Sequence, residues 1–249
     1  MTRIAPYAEQ REHMNVKGPG DARRTATQII EHQGLVAHPS WADRVVLTTG
    51  CSAGELGPET AKAMRLIGAD VYITSRERSK GQKITNELLA DGKPGKVEVI
   101  SIDLGSFKSH SLLFNLLKDA LLASASPSFN SRIFVVVAAA HHRAEISFDS
   151  LDFDKTEYTP LGAHDQSLAD ILFANELDPR YQCQNLRASS LDPSGTASTV
   201  WAAVGKEWEV RGGLYLDECA DGWLTPDDAL YYHGGYAPQA FDLRTQKKL

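Results

Sequence analysis

Three glycines and the residues between them are the first place where this chain could do chemistry. The run Thr49-Gly50-Cys51-Ser52-Ala53-Gly54-Glu55-Leu56-Gly57 follows the β-branched stretch Arg44-Val-Val-Leu-Thr-Thr-Gly50 and precedes Pro58–Ile67, which has helical periodicity. Glycines at such a turn let the backbone approach a pyrophosphate, and the N-terminus of the following helix offers unpaired N–H groups at the positive end of its dipole. Gly50, Ser52, Gly54, Leu56 and Gly57 are therefore candidate nucleotide-binding residues. A second strand, Asp70–Thr74, leads to Ser75-Arg76 where an acidic residue would select an unphosphorylated ribose. An arginine there can pair with a 2′-phosphate, so Arg76 points to NADP rather than NAD. Asp103 and Leu104, closing a third strand, stand where they could meet an adenine edge; Asp103 is equally read as a helix cap.

These residues need a scaffold, and the pattern along the chain supplies one. Helical stretches at 81–90, 109–123 and 163–181 alternate with strand candidates at 96–102, 132–139, 185–191 and 213–216. Strand and helix in alternation imply a parallel sheet of βαβ units with helices on both faces, a doubly wound α/β fold. Residues 1–40 are polar, hold Gly18-Pro19-Gly20 and a single helical candidate at 22–32, and read as an extension ahead of one domain over 41–249.

Composition removes several classes of function. Lys+Arg 26 against Asp+Glu 32, net charge −6, with no basic block, gives no electrostatic footprint for nucleic acid. Three dispersed cysteines, Cys51, Cys183 and Cys219, fit neither a disulfide scaffold nor a structural zinc site. No metal site is expected: His141-His142 would need a third ligand that the sequence does not nominate. Apolar runs such as 133–140 fall short of the ~18 residues of a membrane span, and the start MTRIAPYAEQREH has no apolar signal core. The expectation is a cytoplasmic protein that contacts neither membrane nor nucleic acid.

The runs TGCSAGELGPETA, VYITSRE, the Asp103-Leu104 pair, HHRAEISFDSLDF, ILFANELDPRY and TVWAAVGKEWEVRGGLYL together resemble the short-chain dehydrogenase/reductases, in particular the retinol-dehydrogenase-like members found in fungi. The resemblance covers 41–104 and, less evenly, 131–242. It implies a Rossmann-type sheet, an NADP(H) cofactor, a small carbonyl or alcohol substrate, a homo-oligomer and a place in secondary metabolism. The glycine loop departs from the family's TGxxxGxG by one residue, Glu55-Leu56 preceding Gly57.

The family transfers hydride with the help of a Tyr, a Lys four residues later and a Ser that hydrogen-bonds the carbonyl. An i, i+4 spacing puts Tyr and Lys on one helix face. Here the matching segment, Ala163-His164-Asp165-Gln166-Ser167-Leu168, has His164 at the tyrosine position and Leu168 at the lysine position. None of the eight tyrosines has a lysine four residues on, and the serine strand reads Val136-Val137-Ala138-Ala139-Ala140. His164 is the catalytic candidate, since imidazole titrates near neutral pH; a partly exposed helix histidine is the alternative. Leu104 and Arg132 are 28 positions apart, room for one helix but not for the family's additional strand and helix. The sheet is expected to be shortened by one central strand-helix unit, with 132–139 moving beside the first strand. Three outcomes follow from these losses: an NADP-linked oxidoreductase with proton transfer rerouted through His164 or water, a non-catalytic or repurposed nucleotide-binding protein, or an eroded or mis-spliced gene product.

Overall fold

A computed structural model describes residues 3–11, 17–18, 20–93, 95–105, 107–144, 146, 148, 160–193, 195–226 and 234–248. They gather into two compact units. The amino-terminal unit is Glu9–Leu104 with Ser194–Val204; the carboxy-terminal unit is Met1–Ala8, Gly105–Pro193 and Gly205–Leu249.

After α1 (Ala8–Arg11) at the boundary, the amino-terminal unit opens with α2 (Ala26–His32). A reciprocal capping box starts α2: the Gln28 N–H donates to the Thr25 hydroxyl, and the Thr25 N–H donates to Gln28 Oε1. Strand β1 (Val45–Thr48), α3 (Leu56–Leu66), β2 (Asp70–Ser75), α4 (Arg78–Leu89) and β3 (Val97–Ser101) follow. The strands are parallel in the order β1-β2-β3, with Val46 opposite Val71 and Ile73 opposite Val99. Gly68, at φ +100°, lets the chain leave α3. Helix α7 (Thr196–Val204) packs on α2 and α3 through Val200 and Trp201, both fully buried. Arg65, on α3, is buried and donates to Leu88 O (2.7 Å), Gly95 O (3.3 Å), Lys93 O and the Asp91 carboxylate (2.5 Å), tying α3 to the turn between α4 and β3.

The carboxy-terminal unit contains α5 (Phe107–Ser124), β4 (Ser131–Val136), α6 (Pro160–Tyr181), β5 (Leu186–Asp192), β6 (Tyr215–Asp217), β7 (Ala220–Asp221) and α8 (Leu243–Gln246). Strands β4, β5 and β6 are parallel and β7 returns antiparallel, in the order β4-β5-β6-β7. Asn185, at φ +60°, makes the sharp passage into β5. One face of the core joins Val137, Leu168, Ile171, Leu172 and Tyr215; another joins Phe114, Leu177, Leu186 and Ala188. Asp178 is buried on α6, where the Ala188 N–H (3.1 Å) and Arg187 (3.2 Å) hold it.

Residues 105–130 supply one helix, α5, and no named strand among the described residues, which is the expected shortening by a strand-helix unit. Strand β4 belongs to the sheet of the carboxy-terminal unit. It is committed to a six-pair ladder with β5, from Ser131 opposite Leu186 to Val136 opposite Leu191, and the Ser167 hydroxyl fixes its end at Ala138. Within the amino-terminal unit β1 pairs with β2, and Val45 at the start of β1 is 67% exposed. Trp201 and Trp208, seven positions apart, are both buried; α7 ends at Val204 and Trp208 belongs to a separate 3-10 turn, Lys206–Trp208. Asp227, Asp228, Tyr231 and Tyr232 lie outside the described residues.

Candidate functional site

The turn from β1 to α3 gathers five of the candidate residues, Gly50, Ser52, Gly54, Leu56 and Gly57. Gly50 (φ +67°) and Gly54 (φ +83°) occupy the left-handed region, and a Cβ on either would meet nothing within 4 Å, so both need glycine for conformation and leave their faces open. Gly57 is there for close approach instead. A Cβ on it would lie 2.7 Å from Gly50 O and 2.9 Å from Cys51 Sγ, so the first turn of α3 presses directly onto the loop. The Ser52 N–H donates to Gly50 O (3.2 Å) and the Glu55 N–H to Ser52 O (3.1 Å), which curls the loop back on itself. Glu55 stands at the N-cap with extended backbone but no side-chain cap, and the third helical residue is Pro58, which has no N–H. Among the described residues the N–H groups of Leu56 and Gly57 bond neither a backbone carbonyl nor the Glu55 side chain at this exposed helix start.

Cys51 anchors the loop from below. Its N–H donates to Thr74 O on β2 (3.2 Å), its thiol reaches Thr48 O (3.5 Å), and burial pushes the thiol up to about 12. That thiol is a protonated, inert packing group. Arg76 is exposed just beyond β2, and its carbonyl accepts from the Ser101 hydroxyl on β3 (3.2 Å). Lys80 is taken by Glu77 at 2.6 Å. Asp103 and Leu104 leave β3 after the Ile102 N–H has bonded Ser75 O (3.2 Å). All eight candidate nucleotide residues therefore belong to the amino-terminal unit, at or beyond the carboxyl ends of its three strands.

His164 belongs to the carboxy-terminal unit, on α6, partly exposed, with Nδ1 buried and without a hydrogen-bond partner. One turn on, Leu168 is 2% exposed and packs against Ile171, Leu172, Val137 and Tyr215. Leu168, read from the sequence as the residue at the family's lysine position, is thus part of the apolar core, where an unpaired ammonium would be strongly disfavoured. Between them, Ser167 accepts from the Ala138 N–H (2.9 Å) and donates to Ala138 O (3.2 Å). A hydroxyl is therefore present at the end of β4, supplied by the neighbouring helix, and it is engaged by that strand's own backbone.

Sequence reasoning set His141 aside as a histidine without a third metal ligand and found no structural role for it. It is fully buried; the Ala237 N–H donates to its Nε2 (3.2 Å), so the proton is on Nδ1, which donates to Ala138 O (2.8 Å). Burial, opposed by the bond to Ala138, takes its pKa down to about 4. His142 directs Nε2 to Gly235 O (3.1 Å). No group of three or more His, Cys, Asp or Glu suited to a metal occurs among the described residues. Likewise no helix among them is long and apolar enough to cross a membrane.

Parallel strands flanked by helices, with a glycine turn leading from the first strand into a helix, define a Rossmann-type α/β protein. Comparison with known proteins narrows this. The chain is 30% identical to the short-chain dehydrogenase/reductase prx1 of Penicillium roqueforti, over 93% of this chain and 89% of that protein. It belongs to the short-chain dehydrogenase/reductase family. That alignment runs over 312 positions against 249 residues in the whole chain, so the relative carries residues that have no counterpart here. Solved structures share the fold: RhlG of Pseudomonas aeruginosa in an active-site complex with NADP (16% identity, TM-score 0.55, 71% of this chain and 94% of that one), and a 3-oxoacyl-(acyl-carrier protein) reductase of Brucella melitensis with bound NAD (14%, 0.56, 75% and 93%). No family model matches the chain.

Proposed function

We propose that this chain binds NADP(H) and is an oxidoreductase by descent whose hydride transfer by the family's usual route is impaired. The observation that carries the reading is the β1–α3 turn: two left-handed glycines, a third pressed against the first, and a helix start with two unpaired N–H groups. That donor set fits a pyrophosphate. The backbone at Gly50, Ser52, Gly54, Leu56 and Gly57 would hold it, Arg76 would take the 2′-phosphate, and Asp103 and Leu104 would border the adenine. When bound, the nicotinamide gives a hydride to a carbonyl carbon or takes one from an alcohol.

The protein's own share is orientation and the proton. His164 is the titratable group at the family's tyrosine position, and no cation stands one turn away to tune it. Loss of the Tyr-Lys pair removes an acid-base contribution of about two to four orders of magnitude. Small carbonyl or alcohol substrates are accordingly turned over slowly, in a cytoplasmic, homo-oligomeric protein of secondary metabolism. A second reading, a nucleotide-binding protein without turnover, is favoured by the burial of Leu168, which leaves no polar group where the family needs one.

The test is a fluorescence titration with NADPH and NADH, followed by turnover of an aldehyde and ketone panel by the wild type and by His164→Asn. Tighter binding of NADPH, lost in Arg76→Ala, with slow turnover that falls further in His164→Asn, supports the oxidoreductase. The same binding with no turnover supports the second reading. Equal or absent binding of both nucleotides refutes both.

A further inference from the structure

We propose that a cavity in the carboxy-terminal unit binds a small neutral hydrogen-bond donor, an alcohol or phenol with a compact hydrocarbon body. The cavity has a volume of about 470 Å³, within the usual range for small-ligand sites. Ala144, Ile146 and Leu168 give it an apolar side, and His142, Gln239 and Thr245 give it a polar one. The ligand class follows from which hydrogen-bonding capacity of the polar side the fold has already used and which it has left over.

The donors of these three residues are committed within the protein. Gln239 Nε2 faces the carbonyls of His141 (3.3 Å), His142 and Ala144 (both 3.4 Å), which take up both amide hydrogens. The Thr245 hydroxyl donates to Asp242 Oδ2 (2.6 Å). His142 Nε2 lies 3.1 Å from Gly235 O, an acceptor, so Nε2 carries the ring proton. What remains is acceptor capacity: Gln239 Oε1, His142 Nδ1 in the neutral ring and the lone pairs of Thr245 Oγ1 receive no hydrogen bond from the described residues. A polar side made of acceptors suits an O–H group and gives nothing to a carboxylate, a ketone or an ether, which bring no proton. No Asp or Glu lines the cavity among the described residues, so an ammonium would enter without a counter-charge. Arg143, also in the lining, keeps interactions of its own, and the proposal asks nothing of it. The bonds from Gln239 fix the wall segment 141–144 and Leu168 is locked in the core, so the ordering cost of binding is low. The inference rests on the carboxy-terminal unit alone and is independent of cofactor binding.

The experiment titrates the whole chain calorimetrically, without nucleotide, with 3-phenylpropan-1-ol, its methyl ether, 3-phenylpropionate and 3-phenylpropylammonium. The alcohol should bind saturably and about 5-fold or more tightly than the ether, as one donor placed on a waiting acceptor allows. Both ions should bind more weakly than the alcohol. Gln239→Lys keeps a donor for the three carbonyls but removes the acceptor Oε1, and should bring alcohol and ether within about 2-fold of each other. If Gln239→Lys shows no cooperative melting, the ligand carries the change instead: on the wild type, 3-phenylpropionamide should bind about 5-fold or more tightly than its N,N-dimethyl derivative, which has no N–H. No saturable binding of the alcohol, equal affinities for alcohol and ether, tighter binding of either ion, or an undiminished preference in folded Gln239→Lys would overturn the proposal. Because no nucleotide is present, a negative result here leaves the NADP(H) reading to stand or fall on its own titration.

Discussion

Lowering the pH should unlock the carboxy-terminal unit at one residue, His141. In the folded chain its two nitrogens bond Ala138 O and the Ala237 N–H, and protonation would destroy the acceptor that Ala237 requires. Burial holds its pKa at about 4 against 6.5 for the free side chain. The folded value is the lower one, so the unfolded chain binds the proton first as pH falls. His141's stabilisation is complete above about pH 6.5 and is lost between there and about pH 4. The difference of about 2.5 pKa units corresponds to about 3 kcal/mol, most of it gone by pH 4.5. Urea denaturation at pH 7.5 and 4.5 measures the change for wild type and for His141→Gln, whose amide can donate and accept but does not titrate. Subtracting one from the other removes the carboxylates common to both. The wild type should lose about 2–3 kcal/mol more than the variant over this interval. Parallel losses in the two proteins would refute the assignment of a neutral, doubly bonded His141.

Three further predictions concern the scaffold. Arg65→Met removes a buried guanidinium that serves three carbonyls and Asp91, and should cost about 1–3 kcal/mol by thermal or urea unfolding. Gly57→Ala places a Cβ 2.7 Å from Gly50 O and Gly81→Ala one 2.3 Å from Val99 Cγ2. Both should lower the melting temperature, and Gly57→Ala should in addition weaken NADPH binding by about 10-fold, since a shift of about an ångström at a positioning loop carries large penalties. Glu218, at φ +51° in the β6–β7 turn, stands where Asn or Gly is preferred, so Glu218→Asn should raise stability by about 0.5–1 kcal/mol.

The scaffold was largely legible because its signals are local. Val-Val-Leu-Thr at β1 and the β-branched runs of β2 and β3, each followed by helical periodicity, placed those elements within a few residues of where they lie. The glycine turn was legible for the same reason: Gly50 and Gly54 need positive φ and Gly57 needs the absence of a side chain. What was not legible depends on partners far along the chain. Nothing local in 131–136 says that β4 pairs with β5. The role of His141 had no local signal because its Ala237 partner is 96 residues away. Ser167 likewise lies 29 residues from the strand end that it fixes. That no tyrosine is followed by a lysine four residues on, by contrast, could be read directly, and the structure adds that Leu168 is buried core.

The measurement that bears most directly on the central claim is the thermal melting of the purified chain with NADPH or NADH at up to about a millimolar. A nucleotide at about 100 times its dissociation constant adds about 2.7 kcal/mol of stability. A cooperative transition that rises with NADPH and not with NADH is the predicted result, and Arg76→Asp should abolish the difference. A transition that responds to neither nucleotide, or equally to both, would contradict the account of this chain as an NADP(H)-binding short-chain dehydrogenase/reductase.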